Sequence, residues 1–511
     1  MADAFEERVD TTPYQTAMIF QGKEMTYFEL DCLANRIAAW AGQQNLKPGH
    51  VVALLMGNRP EFIAIWLGLS KVGVVSALLN TNLKGDSLKH CLQTAKSKVV
   101  ITDSELVPLV EPQATSLSLP IFHLTPAPTK YSKDEKKTPL GQTGGASTPL
   151  GPILEKYAQT RPSATRRKRE GGPTNVLFYI YTSGTTGLPK AAKISHARFY
   201  AAGVAFGIFN QIQPSDRVYT CLPLYHSSGG MIGVSLCWYT GATQIVSPKF
   251  SASRFFQECR DNRATVVQYI GQICRYLNAT PESIHDRSHA VVKGIGNGMR
   301  IDTWREFQSR FGIEYIGEFY AATEGNAALI NNQSKLGAVG YVPPIADYIP
   351  FINYPLRIIK IDSKTNQPVR RKGKGGAVGL CVECAYGEAG ELISRIGNDS
   401  VDRRFDGYLD ARATRKKILE NAFKPGDRWF RTGDLLRRDS LGYYYFVDRI
   451  GDTYRWGGEN IAASEVQSVL ASSPCPKVVD VTVYGVEVSG YDGKAGMACL
   501  QFEKKECVGE L

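Results

Sequence analysis

The 511-residue sequence predicts an α/β protein of more than one domain. Three observations predict it. Short β-branched runs alternate with longer helical patterns, as βαβ units require. The chain also exceeds the length of about 250–300 residues at which a single core stops growing. Finally, the composition is ordinary globular, 43% hydrophobic and 21% charged, with neither an acidic nor a basic tail.

The elements follow in order. Tyr27–Gly42 has helical spacing, Val51–Met56 reads as a strand, Arg59–Lys71 as a helix, and Val72–Leu78 and Val99–Thr102 as strands. From Ala377 the chain turns to short strands and turns, in GLCVECAYGEAGEL and LGYYYFVDR, which predicts a β-rich subdomain. After Asp448 a mixed segment carries a helix at Ala463–Leu470. The predicted architecture is a large N-terminal domain, residues 1–447, of two α/β subdomains plus the β-rich subdomain. An incomplete small α+β domain over 448–511 completes it. No internal repeat is present.

The stretch from Pro126 to Pro173 stands apart, rich in Lys, Thr, Pro and Gly, with the basic run TRRKRE at Thr165–Glu170. It reads as a solvated surface loop or as a contact with an anionic membrane surface. No aromatic residues interleave the run, which argues against nucleic acid. The net charge of +11 permits anionic partners and selects none of them. Nothing approaches the roughly 20 apolar residues of a spanning helix; the nearest stretch, FIAIWLGLS at Phe62–Ser70, is bounded by charges. The start, MADAFEERVD, is acidic and unlike a secretory signal. Eleven cysteines, an odd number without a framework, point to reduced thiols on the cytosolic side. Cys381 and Cys384 form one CxxC, but no second pair or histidine cluster completes a zinc site, so it reads as chance spacing in a strand.

The densest chemistry lies in YIYTSGTTGLPKAAKISH, Tyr179–His196. A phosphate needs close backbone N–H groups, small hydroxyls and a nearby cation. Thr182, Ser183, Gly184, Thr185, Thr186, Gly187 and Lys190 supply all three directly after an apolar strand. The Walker loop does not fit, because Leu188-Pro189 separates Gly187 from Lys190 and no Ser or Thr follows the lysine.

YTSGTTGLPK resembles the phosphate loop of the acyl-adenylate-forming enzymes, the superfamily of acyl-CoA synthetases, luciferases and peptide-synthetase adenylation domains. Further motifs follow in that family's order: CLPLYHSSGG (Cys221–Gly230), GEFYAATEGN (Gly317–Asn326), FRTGDLL (Phe430–Leu436) and DRIGDTYRWGGEN (Asp448–Asn460), the last similar to its interdomain hinge. The wording of NRPEF, KFSASRF, GNGMR and RWGGEN is most similar to the fatty acid transport protein, or very-long-chain acyl-CoA synthetase, branch. The similarity covers almost the whole chain.

The resemblance implies an ATP-dependent ligase that joins a long-chain or very-long-chain fatty acid to CoA through acyl-AMP, linked to fatty acid uptake. ATP, Mg²⁺ and CoA are the implied cofactors. Tyr181 and Thr182 to Gly187 would bind the nucleotide, with Lys190 on its β- and γ-phosphates. Tyr320 would stack on adenine, edged by the backbone of Gly296, Asn297 and Gly298. Thr323 would contact the α-phosphate and Glu324 would hold Mg²⁺. Asp434 would accept hydrogen bonds from the ribose hydroxyls, and Arg449 would add a cation. Tyr225, His226, Gly229 and Gly230 would meet the acyl substrate, with His226 orienting the carboxylate. Outside these motifs a Thr-Glu pair reads as a helix cap and a Gly-Asp pair as turn chemistry.

Amino-acid-adenylating relatives carry an Asp in a F-D-x-S stretch where this chain has Phe250-Ser251-Ala252-Ser253, so an acid without an amino group is expected. Residues around Gly229–Gly233, Trp238–Gly241 and Tyr269–Gly271 could wall an acyl tunnel or serve as plain core. The implied setting is a cytosol-facing membrane, of the endoplasmic reticulum, plasma membrane or peroxisome, with peripheral attachment because the relatives' N-terminal anchor has no counterpart.

Three departures bear on activity. Ala321 stands where relatives have Gly, and Gly457 where they have Lys or Arg. Only 63 residues follow Asp448, and no counterpart of the family's C-terminal lysine in a G-x-x-K segment precedes Leu511; Lys504 and Lys505 do not match it. Loss of a charge that acts at the transition state costs about 10² to 10³ in rate. The expectation is therefore a chain that binds ATP but forms acyl-AMP and acyl-CoA slowly or not at all. Alternatives are a non-catalytic fatty acid transport or binding protein, and a CoA ligase for another carboxylic acid such as a bile acid.

Overall fold

A computed structural model describes residues 1–125, 147–163, 172–182, 188–347, 355–362, 365–371, 379–397, 400–401, 403–450, 454–456, 459–461, 463–471, 478–488 and 494–502. The basic run at Thr165–Glu170, the loop Ser183–Gly187, Gly457, Lys504 and Lys505 lie outside them. The chain forms two compact units. The first holds Met1–Gly337 and Asn398–Lys416, and the second Ala338–Gly397 and Lys417–Leu511.

Two sheets build the first unit. The seven-stranded sheet runs Ser147–Pro149, Ile121–Leu124, Ser97–Asp103, Val51–Leu55, Val75–Leu78, Val176–Thr182, Lys190–Ser195, parallel except for its last pair. The eight-stranded sheet runs Ala328–Ile330, Tyr315–Ala321, Lys293–Asn297, Val266–Ile270, Arg217–Thr220, Thr243–Val246, Thr16–Phe20, Lys23–Thr26; only its two outermost pairs are antiparallel. The chain begins in this second sheet, crosses to the first, and returns. The predicted α/β class and its elements therefore stand, with ends shifted by a residue or two and Val72–Leu78 shortened to Val75–Leu78.

Local chemistry explains the elements. Thr26 and Glu29 close a reciprocal capping box at the start of helix Tyr27–Gln43. Helix Pro60–Lys71 opens with Pro at its first position and packs on Tyr27–Gln43. Gly68 permits that contact, since a Cβ there would lie 2.3 Å from the Ala34 carbonyl oxygen. The apolar run Phe62–Ser70 is thus a core helix, covered on every side, which is why it lacks a polar face. No helix among the described residues is long and apolar enough to cross a membrane.

Lys71, at the end of this helix, is fully buried. Its ammonium meets Glu6 Oε1 at 2.8 Å, Asn35 Oδ1 at 2.6 Å and the Asp31 carboxylate. Arg161 reaches Asp31 Oδ2 at 2.8 Å and Asp10 Oδ1 at 2.8 Å, so the cluster binds the N-terminal helix Ala2–Thr11 to the sheet-covering helices. Buried charge is tolerated only when paired in this way.

In the second unit an antiparallel sheet runs Gly340–Tyr341, Tyr443–Arg449, Arg428–Arg438, Gly390–Arg395, Leu356–Ile359, with Ile418–Glu420 beside Arg428–Arg438. The β-rich region therefore starts at Ala338, ahead of Ala377 where the pattern first becomes legible. Beyond Asp448, helix Ala463–Ala471 packs on the hairpin Val478–Glu487 and Lys494–Phe502, over a small core of Tyr454, Ala463, Val481 and Val483. The hairpin's Gly485 and Gly496 leave room for the Tyr454 ring.

Replacing Lys71 with Met takes the ammonium from the buried carboxylates of Glu6 and Asp31 and leaves Asp31 with Arg161 at 2.8 Å. The substitution is expected to cost the first unit about 3–5 kcal/mol, read as a lower urea midpoint. An unchanged midpoint would show that the cluster gives no net stabilisation.

Candidate active site

Thr182 and Lys190 are register partners across the antiparallel pair Val176–Thr182 and Lys190–Ser195. Strand Lys190–Ser195 therefore follows the Thr/Ser/Gly stretch in the sequence. The Tyr181 side chain turns into the core. Its phenol is buried and donates to the Cys91 carbonyl at 2.8 Å, so only its main chain is available to a nucleotide.

The loop Ala322–Asn326 follows strand Tyr315–Ala321. Arg198, in helix His196–Phe209, donates to the Ala322 carbonyl at 2.9 Å, and Asn326 Nδ2 donates to the Arg403 carbonyl at 3.1 Å. Thr323 Oγ1 lies 3.1 Å from Ser227 Oγ, which joins this loop to CLPLYHSSGG. Glu324 is half-buried, with Arg198 close enough to feel its charge. The segment Arg403–Lys416 lies along strand Lys190–Ser195: the Lys193 amide donates to the Gly407 carbonyl at 2.9 Å and the Leu409 amide to Ala191 at 2.8 Å. That placement brings the buried Tyr408 phenol within hydrogen-bonding reach of Glu324 and Thr182, and burial pushes its pKa up. Neither Arg198 nor Tyr408 was singled out in the sequence. No motif marks them: the packing of helix His196–Phe209 brings Arg198 to the loop, and the chain's return to the first unit brings Tyr408.

Strand Lys293–Asn297 ends in Gly296-Asn297-Gly298. A Cβ on Gly296 would strike Tyr269, and Gly298 takes φ +77°, a conformation that favours glycine. Asn297 Oδ1 is buried with no hydrogen-bond partner among the described residues, an acceptor open to a ligand N–H. Tyr320 is 9% exposed, and Ala321 beside it is exposed.

His226 precedes a π-helical turn, Ser227–Gly233. It stacks edge-on against the buried Tyr225 ring at 4.7 Å, and partial burial lowers its pKa, which keeps the imidazole neutral at pH 7. The glycines expected to meet substrate have another task. A Cβ on Gly229 would lie 2.7 Å from the Pro223 carbonyl oxygen, and on Gly230 only 1.8 Å from that of Leu224. They let the turn pack on the Leu222–Leu224 backbone. The proposed tunnel walls are likewise filled: Trp238 packs among Phe5, Trp66 and Phe199, a Cβ on Gly233 would meet Gln268, and Gly271 abuts Gly298.

In the second unit the Gly433-Asp434 turn is held from beneath. Fully buried Glu391 takes Arg431 in a two-toothed ion pair, down to 2.7 Å, and accepts the Gly433 amide at 3.1 Å. Gly433 adopts φ +82°, and Thr432 Oγ1 accepts the Asp434 amide at 3.1 Å. Asp434 and Arg449 face each other across the strands, 3.5 Å apart, with the guanidinium largely exposed.

One buried acid beneath the site titrates abnormally. Glu318 accepts the Tyr269 hydroxyl at 2.5 Å and the Met299 amide at 3.0 Å, and burial raises its pKa from 4.5 to about 8. The folded chain thus keeps a proton that the unfolded chain releases, so this group's contribution to stability falls from about pH 4.5 and levels off above about pH 8. Glu318→Gln cannot ionise and is expected to gain on the wild type across that window in pH-dependent urea melts. Parallel curves would show that the carboxyl titrates normally.

With this geometry in place, comparison with known proteins is direct. The profile of the AMP-binding enzyme family matches residues 5–383. Human long-chain fatty acid transport protein 1 is 42% identical over 501 residues, 97% of this chain and 74% of that protein. The medium/long-chain-fatty-acid–CoA ligase FadD6 of Mycobacterium tuberculosis is 36% identical over 498 residues, 97% of this chain and 76% of its own. Among solved structures, ATP-bound MatB from Rhodopseudomonas palustris superposes with a TM-score of 0.76 at 21% identity, covering 99% of this chain and 90% of that one, a likeness of fold. The chain belongs to the AMP-binding enzyme family, in the branch of the long-chain fatty acid transport proteins.

Proposed function

We propose that the chain activates a long-chain fatty acid with ATP, releasing pyrophosphate, and passes the acyl group from acyl-AMP to the thiol of CoA, releasing AMP. The observation that carries this reading is the 3.1 Å approach of Ser227 Oγ to Thr323 Oγ1. It sets the His226 loop against the Thr323–Glu324 loop, so a carboxylate beside one faces a phosphate beside the other. A carboxylate oxygen then attacks the α-phosphorus and the bond to pyrophosphate breaks. The chain's residues supply position and charge complementarity to that step.

Lys190 is assigned to the outer phosphates, Thr323 to the α-phosphate, and Gly296-Asn297-Gly298 to the base edge, where Asn297 Oδ1 offers its open acceptor. In the second unit, Asp434 is assigned to the ribose hydroxyls and Arg449 to the cation beside them. A half-buried carboxylate with hydroxyls nearby suits Mg²⁺, which takes few protein oxygens and keeps waters, so Glu324 would hold it. When bound, the ion neutralises phosphate charge. A neutral His226 donates its one N–H to the carboxylate without competing for the phosphates.

A membrane surface is the proposed working place. The Thr165–Glu170 run supports it, as do Tyr200, Ile208 and Phe209, left exposed along helix His196–Phe209.

Purified chain with MgATP and oleate is expected to release pyrophosphate slowly, about 10² to 10³ below the rate of a relative that carries the C-terminal lysine, and mass spectrometry is expected to find a correspondingly small yield of oleoyl-AMP, or of oleoyl-CoA once CoA is added. Glu324→Gln or Asp434→Ala should lower the rate by about 10² to 10³. Oleate and ATP binding without either product would favour a carrier, and product from a bile acid instead of oleate would move the substrate class.

A further inference from the structure

Asn58 follows strand Val51–Leu55 and precedes helix Pro60–Lys71, in the seven-stranded half of the first unit. It is 8% exposed, and its amide spends all its bonding on the other half. Nδ2 donates to the Leu222 carbonyl at 2.9 Å and to the Ser247 carbonyl at 3.0 Å, while Oδ1 accepts the Leu224 amide at 2.9 Å. One side chain thus grips both ends of Leu222-Pro223-Leu224. Gly229 and Gly230 press against the same tripeptide, too close for any Cβ. Tyr225, His226, Ser227 and Ser228 are the residues between the two contacts, and the His226 amide itself donates to the Pro223 carbonyl at 3.1 Å.

Asn58 is in turn held by its own turn. Gly57 donates its amide to Asp103 Oδ2 at 2.7 Å, and Arg59 binds Asp103 Oδ1 at 3.0 Å, Glu61 at 2.9 Å and the Thr125 carbonyl at 3.1 Å. The side chain is therefore presented on a braced base, and its two donors and one acceptor match the three main-chain groups it meets.

We propose that Asn58 is a positioning residue for the acyl end of the site. It fixes the Leu222–Leu224 platform on which Tyr225, His226 and the π-helical turn are set. The inference rests on the reading that this loop meets the fatty acid. Asn58→Asp keeps the size and the acceptor but turns two donors into acceptors facing carbonyl oxygens. Asn58→Ser keeps a single hydroxyl. Asp103→Asn serves as control, because it loosens the same turn without touching Leu222–Leu224.

Calorimetry with oleate and, separately, MgATP tests the proposal on the full chain. Oleate binding is expected to weaken about tenfold or more in Asn58→Asp, and less in Asn58→Ser, with MgATP affinity within about twofold of wild type. Asp103→Asn loosens the base that presents the amide but leaves the amide itself, so it should weaken oleate binding less than Asn58→Asp does and leave MgATP affinity unchanged. Equal oleate affinity in a folded Asn58 variant overturns the proposal, as does a parallel loss of MgATP affinity or the same oleate loss in Asp103→Asn. If neither Asn58 variant folds while Asp103→Asn does, the residue holds the fold and not the site, and the proposal also fails. Wild-type chain that does not bind oleate at all would instead overturn the reading of the acyl loop.

Discussion

The hydrogen bonds of one amide, that of Asn58, fix the backbone at which the first unit's two sheets meet. Parallel sheets covered on both faces expose their working loops at strand ends, and such loops have no ladder of their own to define them. Here the loop after Arg217–Thr220 gains its definition from a side chain on the other sheet and from two glycines that bring the following turn into van der Waals contact. Everything set on that loop, His226 and Ser227 included, inherits its position.

The same economy recurs elsewhere. Buried acids organise main-chain turns without facing solvent: Glu318 beneath Gly298-Met299, and Glu391 beneath Gly433-Asp434. In each case a carboxylate accepts an amide that no strand partner takes, and a second partner, Tyr269 or Arg431, helps to satisfy it. A left-handed glycine marks both turns. These are anchoring devices, and they free the neighbouring residues to present their polar atoms outward. The Lys71 cluster does comparable work at the back of the fold, where paired burial fastens the first helix.

Much of this was legible in the sequence. The alternation of apolar runs predicts the α/β class, helical spacing predicts Tyr27–Gly42 and Arg59–Lys71, and the ordered motifs point to the family. Other features were not legible, for identifiable reasons. The all-apolar helix Pro60–Lys71 carries no periodicity by which its neighbours could be guessed. That Gly229 and Gly230 are required for packing was not legible, because the backbone atoms that fill the space of a Cβ there belong to Leu222–Leu224. Tyr181 shares a motif with the phosphate loop, but strand alternation turns its ring to the core.

By itself the sequence determined the class of fold, the family and the residue types on offer, because periodicity, caps and motif order are local properties of a chain. Tertiary structure alone decided which of those residues meet. Arg198, Tyr408 and Glu324 are far apart in sequence; helix His196–Phe209 brings Arg198 to the Glu324 loop, and Tyr408 joins them because Gly407–Leu409 pairs with Lys190–Ser195. Ser227 and Thr323 are likewise joined by sheet order, not by spacing. Contacts of that kind depend on how strands are ordered and helices packed, and no window of the sequence contains them.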